Sequence, residues 1–190
     1  MVGTATMTAT DSDTAMAREK REETAAEPAT EVVEFMLGAE RCAIDIDAVD
    51  SIVEPKQITR VPRAPEAVEG VMDLRGETTA VVDPTLFLAI ENDGTAANIL
   101  VLDRDGDKQK IGIRVGSVEE VTSYPPAQID RNGDLAGIQT SAIEADLVQG
   151  VLRKHLGEGD EDGVPEDISL VLWLDIARLI DAISTDGPGV

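Results

Sequence analysis

Residues 70–83 read Gly70-Val71-Met72-Asp73-Leu74-Arg75-Gly76-Glu77-Thr78-Thr79-Ala80-Val81-Val82-Asp83. Met72 and Leu74 fall on one face of an extended segment, with Asp73, Arg75 and Glu77 offered to the other, the period of two that a half-buried strand requires. Thr79 to Val82 continues in β-branched and small residues. Asp83 followed by Pro84 is a helix start, an acceptor side chain at the cap before a ring whose fixed φ suits the first helical position. Arg75 stands between two acids on the outward face. It is either a solvated charge or an anchor for a protein contact, where arginine is enriched and where apolar Val49 and Val71 would serve as neighbours.

Upstream of this strand, Val33, Phe35 and Leu37 alternate, Gly38-Ala39 turns, and Cys42, Ile44 and Ile46 alternate again, which predicts a hairpin with Cys42 on its core face. Residues 47–53 carry apolar side chains at i, i+3 and i+4 and predict one helical turn. Pro62 and Pro65 punctuate a connection. Downstream, Ile99 to Leu102 is apolar on both faces and predicts a central strand. Asp105-Gly106 turns into Ile111, Ile113 and Val115 as a second hairpin. Ser117-Val118-Glu119-Glu120 has capping-box spacing and predicts a short helical turn. Residues 124–142 read as an irregular connection, 147–152 and 168–174 as strands, and 157–163 as an acidic loop. Asp175 caps a closing helix over 175–184 with an apolar stripe of Ile176, Leu179, Ile180 and Ile183.

The two series resemble each other. Residues 44–52 lie over residues 113–121 at one constant offset with every apolar position matched, and Gly70-Val71 and Val82-Asp83 find counterparts at Gly150-Val151 and Leu174-Asp175. Chance alternation of ordinary strands would give part of this; a true repeat predicts two small β-barrels, roughly residues 31–96 and 97–174.

The chain has 190 residues, 38 acidic against 16 basic, for a formal charge of -22. That field repels phosphate backbones and anionic lipid, so no nucleic-acid partner is expected. The acids are spread along the chain, as on proteins of a high-salt, haloarchaeal-type cytoplasm, where a Debye length of about 3 Å at 1 M salt suppresses self-repulsion. Aromatic residues make up only 2%, so Val, Ile, Leu and Ala must fill the core. Residues 1–29 lack Leu, Ile and Phe and predict a disordered acidic tail; residues 186–190 predict a disordered end. A lone cysteine allows no internal disulfide, and neither a secretory pattern nor a run of about 20 apolar residues is present. The expectation is a cytoplasmic protein with no direct membrane insertion.

Catalytic signals are missing from this reading. His155, the one histidine, sits beside Lys154 at the mouth of an acidic loop as a surface residue. An inward-facing Cys42 is a small hydrophobe rather than a nucleophile. Asp103, Asp105 and Asp107 lack the glycine and the twelfth-position glutamate of a calcium loop, where Arg114 stands instead. No enzyme activity, cofactor or metal site is expected.

The ordered series from Phe35-x-Leu37-Gly38, through Ile44-Asp45-Ile46-x-x-Val49-x-x-Ile52 and Ile58-Thr59-Arg60-Val61-Pro62, to Gly70-Val71-Met72-Asp73-Leu74-Arg75-Gly76 and Val81-Val82-Asp83 resembles the CheW-like domain family over roughly residues 31–184. The resemblance implies a mainly β fold of two five-stranded SH3-like barrels around a shared core, with short helical turns and a C-terminal helix. It implies a chemotaxis adaptor without catalytic activity that couples chemoreceptor tips to the regulatory domain of the histidine kinase CheA, at membrane-associated receptor arrays. Carried over by position, Val49 and Arg75 face the receptor with Ile46 and Ile52 in support, and the kinase face is not assigned. The sequence departs from the family with Asp73 for Asn, Ala80 for Pro, Pro84 for Leu, and Ser51 where many members have an acid that could pair the arginine. Such a pair would have to use Asp50, Asp73 or Glu77. A small-ligand or cation-binding barrel sharing the fold is the alternative, since fold alone does not fix function.

Overall fold

The computed structural model describes residues 28–88, 90, 91, 94, 97–104, 109–131, 145–156 and 167–185. The predicted tail up to residue 27, the turn at Asp105-Gly106, the acidic loop 157–163 and the end after 185 lie outside them. Among the described residues eleven strands follow in chain order: β1 (Thr30–Leu37), β2 (Glu40–Asp45), β3 (Val49–Val53), β4 (Val68–Leu74), β5 (Glu77–Val82), β6 (Asn98–Leu102), β7 (Lys110–Val115), β8 (Val118–Tyr124), β9 (Ile129–Asp130), β10 (Val148–Leu156) and β11 (Asp167–Leu174). A single helical turn, α1 (Thr85–Leu88), follows β5, and α2 (Ile176–Thr185) closes the chain. The Asp83 carboxylate accepts the Thr85 N–H at 2.9 Å, and that of Asp175 accepts the Arg178 N–H at 3.0 Å, so both caps read from the sequence form.

The strands make two sheets, one in the order β8-β1-β2-β11-β10-β9 and the other β3-β6-β7-β5-β4. Each half of the chain therefore lends a hairpin to the other half's sheet. β1-β2 joins β11 through a parallel seam, Leu172 opposite Cys42, and β6-β7 joins β5 through another, Val82 opposite Ile113. The division into barrels at 31–96 and 97–174 is thus corrected: the boundary between barrels is not a boundary in sequence. One sheet also has six strands rather than five, because the two-residue β9, within the stretch read as irregular, pairs with β10.

The internal repeat is real and marks the crossings. Residues 44–52 leave the six-stranded sheet after β2 and enter the five-stranded sheet as β3; residues 113–121 cross in the opposite sense from β7 to β8. Each crossing is caught by a strand of the sheet it enters or leaves, Asp103 N–H on the Ala48 carbonyl at 2.9 Å and Gly116 N–H on the Met36 carbonyl at 2.8 Å. The repeated glycines sit at equivalent register shifts in β4 and β10. A Cβ on Gly70 would fall 2.3 Å from the Thr59 carbonyl oxygen, and one on Gly150 would fall 2.9 Å from that of Asp130, so only glycine lets the neighbouring backbone approach.

Both predicted helical turns at the crossings are corrected. Only Ile46–Ala48 forms a turn, of the 3-10 type, and residues 49–53 are strand; residues 118–124 are strand throughout. The apolar spacing of Val49, Ile52 and Val53 suits one helical turn, but pairing to β6 and β1 satisfies the backbone and suits β-branched residues, so tertiary context overrides the local pattern.

Alternation along the strands sorts side chains into three apolar clusters. Met72, Leu74, Val81, Ile99 and Val101 fill the five-stranded barrel, while Val32, Ala43, Tyr124, Leu152, Val171 and Trp173 fill the other. Between them lies a larger shared core, with Phe35, Cys42, Ile44, Leu100, Leu102 and Ile113 among its members, on which Leu179, Ile180 and Ile183 of α2 pack. Burial pushes the Cys42 thiol well above its ordinary range, consistent with an inert core residue. Among the described residues no helix is long and apolar enough to cross a membrane.

Glu34, on the β1 face that points into the six-stranded barrel, is fully buried. Its carboxylate accepts the Tyr124 hydroxyl at 2.7 Å and the Lys154 ammonium at 2.7 Å, with an Arg41 guanidinium nitrogen at 3.4 Å; Lys154 also reaches Glu120 at 2.6 Å. Strands β1, β2, β8 and β10 are thereby tied at one end of the barrel. Burial alone would raise the Glu34 pKa, but hydrogen bonding, led by Lys154, outweighs it and holds the carboxyl below its ordinary value. A depressed folded-state pKa contributes stability that is present above the unfolded value and lost as pH falls through the folded one. Glu34→Gln is therefore expected to cost about 3 kcal/mol near neutral pH, as for one partner removed from a buried pair, and to flatten the acid limb of stability against pH. Denaturant melts of both proteins across an acid series check this.

Candidate functional site

Val49 and Ile46 are half-buried at the crossing into β3 and pack against the shared core. Ile52, the next-to-last residue of β3, is 46% exposed. Through the repeat, their counterparts on β8 are Val118, also packed on the shared core, and Val121, 54% exposed. The capping-box spacing predicts Val118 and Val121 both facing inward on a helical turn; Val118 does pack inward, but Val121, on a strand instead, is exposed.

Arg75 is not on the outward strand face expected for it. Leu74 pairs with Glu77, so Arg75 and Gly76 are the two residues of a hairpin turn, with φ of +56° and +86°. Positive φ at both central positions is the turn whose twist matches flanking strands, and it costs a non-glycine residue free energy. The Asp73 carboxylate accepts the Gly76 N–H at 3.1 Å and braces the turn.

Of the three acids available to Arg75, Asp73 is thus engaged by the turn and the other two belong to a residue the sequence reading missed. Lys110, the first residue of β7, places its ammonium 3.0 Å from Glu77 and 3.9 Å from Asp50. Hydrogen bonding to Glu77, then the nearby charges of Glu77 and Asp50, raise the Lys110 pKa. Lys110 thereby links the residue after Val49 to the residue after the Arg75 turn, on the same end of the five-stranded barrel. Among the described residues the Arg75 side chain itself makes no ion pair or hydrogen bond. Only the parallel pairing of β5 with β7 brings Lys110 here, so no local signal could have found it.

His155 is exposed, with its Nδ1 3.4 Å from the Gln128 amide. Among the described residues no group of three His, Cys, Asp or Glu side chains is placed to hold a metal ion.

Two barrels sharing one core, with a half-buried valine where the chain crosses between sheets and an unpaired arginine on a hairpin tip, define a paired SH3-like-barrel module. The chain belongs to the CheW-like domain family, whose model matches residues 31–184. It is similar to the chemotaxis protein CheW of Thermotoga maritima, 26% identical over 154 residues that cover 81% of this chain and 89% of that one. It is also similar to that of Klebsiella aerogenes, 32% identical over 95 residues covering 50% and 57%. The crystal structure of the scaffolding protein TtCheW from Thermoanaerobacter tengcongensis shares the fold with a TM-score of 0.63, at 24% identity over 82% of this chain and 90% of that one.

Because the Arg75 side chain has no partner among the described residues while its backbone is strained, Arg75→Gly is expected to leave stability unchanged or raise it by up to about 1 kcal/mol. Thermal melts test this, and a clear loss would mean that the guanidinium holds the barrel together.

Proposed function

We propose that this protein is a chemotaxis adaptor without catalytic activity, coupling chemoreceptors to the histidine kinase CheA in signalling arrays on the cytoplasmic side of the membrane. The match to the CheW-like family along nearly all of the folded chain carries this reading. Val49, Arg75, Ile46 and Ile52 form the receptor-facing set. Arg75 supports it physically: the planar guanidinium is displayed on a braced turn, free of internal bonds, and can pair a carboxylate or carbonyl of a receptor helix. Lys110 takes the acids that would otherwise quench it, and Ser51 stands where many family members have an acid that could pair the arginine.

Arg75→Ala is expected to cost on the order of 2 kcal/mol in receptor binding and to leave kinase binding nearly unchanged. Titrations of purified receptor fragment and of the kinase regulatory domain, run beside a melting curve, check this. Parallel loss of both affinities with a lower melting temperature would make Arg75 a structural residue. Unchanged receptor affinity in a stable mutant would remove it from the site.

The charge of -22 supports adaptation to a high-salt cytoplasm. The melting temperature should then rise markedly between dilute buffer and molar salt, as screening relieves self-repulsion. A flat salt series would leave an ordinary acidic protein.

A further inference from the structure

The lysines and arginines of the described residues divide into those answered by an acid or a ring and those that are not. Arg41, Lys110, Arg114, Arg153, Lys154 and Arg178 each face a carboxylate within 4.0 Å, and Arg131 lies 4.9 Å from the Trp173 ring centre. Lys56, Arg60 and Arg63 are exposed and, among the described residues, make no side-chain ion pair or hydrogen bond. They fall in one stretch, Lys56-Gln57-Ile58-Thr59-Arg60-Val61-Pro62-Arg63, that contains no acid in a chain with 38 acids against 16 bases. An ordinary solvated surface of this protein would intersperse carboxylates among these cations.

The stretch is held in place. Thr59 and Val71 exchange both backbone hydrogen bonds at 2.8 Å, which lays it antiparallel along β4, the edge strand of the five-stranded sheet. Lys56 runs toward Asp73 and the Arg75 turn, and with Gln57 and Thr59 it faces Val71, Asp73 and Thr78 across a shallow groove. Arg60 and Arg63 run the other way, flanking Val61, which is 38% exposed, and Pro62. Arg63 has φ of +63°; it and Arg75 are the two non-glycine residues with positive φ among the described residues. Both are exposed arginines without a partner among the described residues. Backbone strain spent on displaying an unbonded guanidinium is the pattern of a residue whose partner lies outside the chain.

We propose that residues 56–63 form a second docking surface on the five-stranded barrel, for an acidic protein segment in which carboxylates flank an apolar residue. The guanidiniums of Arg60 and Arg63 pair the carboxylates, and Val61-Pro62 seats the apolar side chain. The stretch already covers the β4 edge, so recognition runs through side chains and not through strand addition. A polyanion such as nucleic acid is disfavoured because the field of the whole molecule repels it beyond this patch. The surface does not depend on the adaptor reading or on Arg75.

The probe is a short labelled peptide of alternating glutamate and leucine, titrated into the full chain at moderate salt with amide shifts recorded. Binding should shift residues 56–63, persist in Arg75→Ala, and weaken by at least about tenfold in a chain carrying Arg60→Gln and Arg63→Gly. Since Arg63→Gly relieves strain, that variant should melt no lower than the parent, which separates lost binding from lost folding. Absence of binding at millimolar peptide, unchanged affinity in the double variant, or loss of binding in Arg75→Ala would overturn the proposal. So would an oligonucleotide of equal charge binding the same residues as tightly.

Discussion

Each barrel of this protein is completed by a hairpin that belongs to the other half of the chain, and the rest of the structure depends on that exchange. β1-β2 cannot bury Val32 and Ala43 without β8, β10 and β11, and β6-β7 cannot bury Ile99 and Val101 without β4 and β5. The opposite faces of the same hairpins, carrying Phe35, Cys42, Leu100 and Ile113, form the shared core. Removing either hairpin would open a barrel interior and the shared core together. The two barrels therefore behave as one cooperative unit, and their pairings are of long sequence separation, which makes folding slow relative to local structure.

That unity gives the molecule a rigid body on which to display charge. The two barrels use their cations differently. In the six-stranded barrel Arg41, Lys154 and Arg153 face inward on Glu34 or across to Asp130, closing the sheet on itself. In the five-stranded barrel Lys110 and Arg114 are likewise consumed by Glu77 and Glu69, but Lys56, Arg60, Arg63 and Arg75 point outward. In a molecule with a large excess of acid, unpaired arginines require that nearby acids be engaged elsewhere. Lys110 and the N–H of Gly76 do this around Arg75. The result is a local cationic rim on an anionic body, a contrast that favours selection among partners more than raw affinity.

The hairpin at Gly38-Ala39, the central strand Ile99–Leu102, the Asp83 and Asp175 caps and the closing helix were all legible, because each depends on residues within a few positions of one another. The repeat was legible too, as a constant offset of apolar positions, and it pointed to two barrels. The segments at residues 49–53 and 118–121 were misread as helical turns: an apolar spacing of three and four is compatible with a strand once a bulge shifts the register, as between Val49 and Ser51. Arg75 was read as an outward-facing strand residue and is a turn residue, since the Arg-Gly pair before Glu77 lacks the asparagine or aspartate that usually announces such a turn.

By itself, then, the sequence determined which segments alternate, where helices begin, that the chain repeats, and that its surface is acidic, all of them properties of neighbouring residues or of composition. Tertiary structure decided which hairpin pairs with which half, that Lys110 rather than Arg75 holds Asp50 and Glu77, and that Glu34 is a buried ion in a β-barrel. These depend on pairings between residues far apart in sequence, such as Thr79 with Lys110 or Glu34 with Lys154. Backbone alternation allows many such pairings, and only burial of all three apolar clusters at once selects among them.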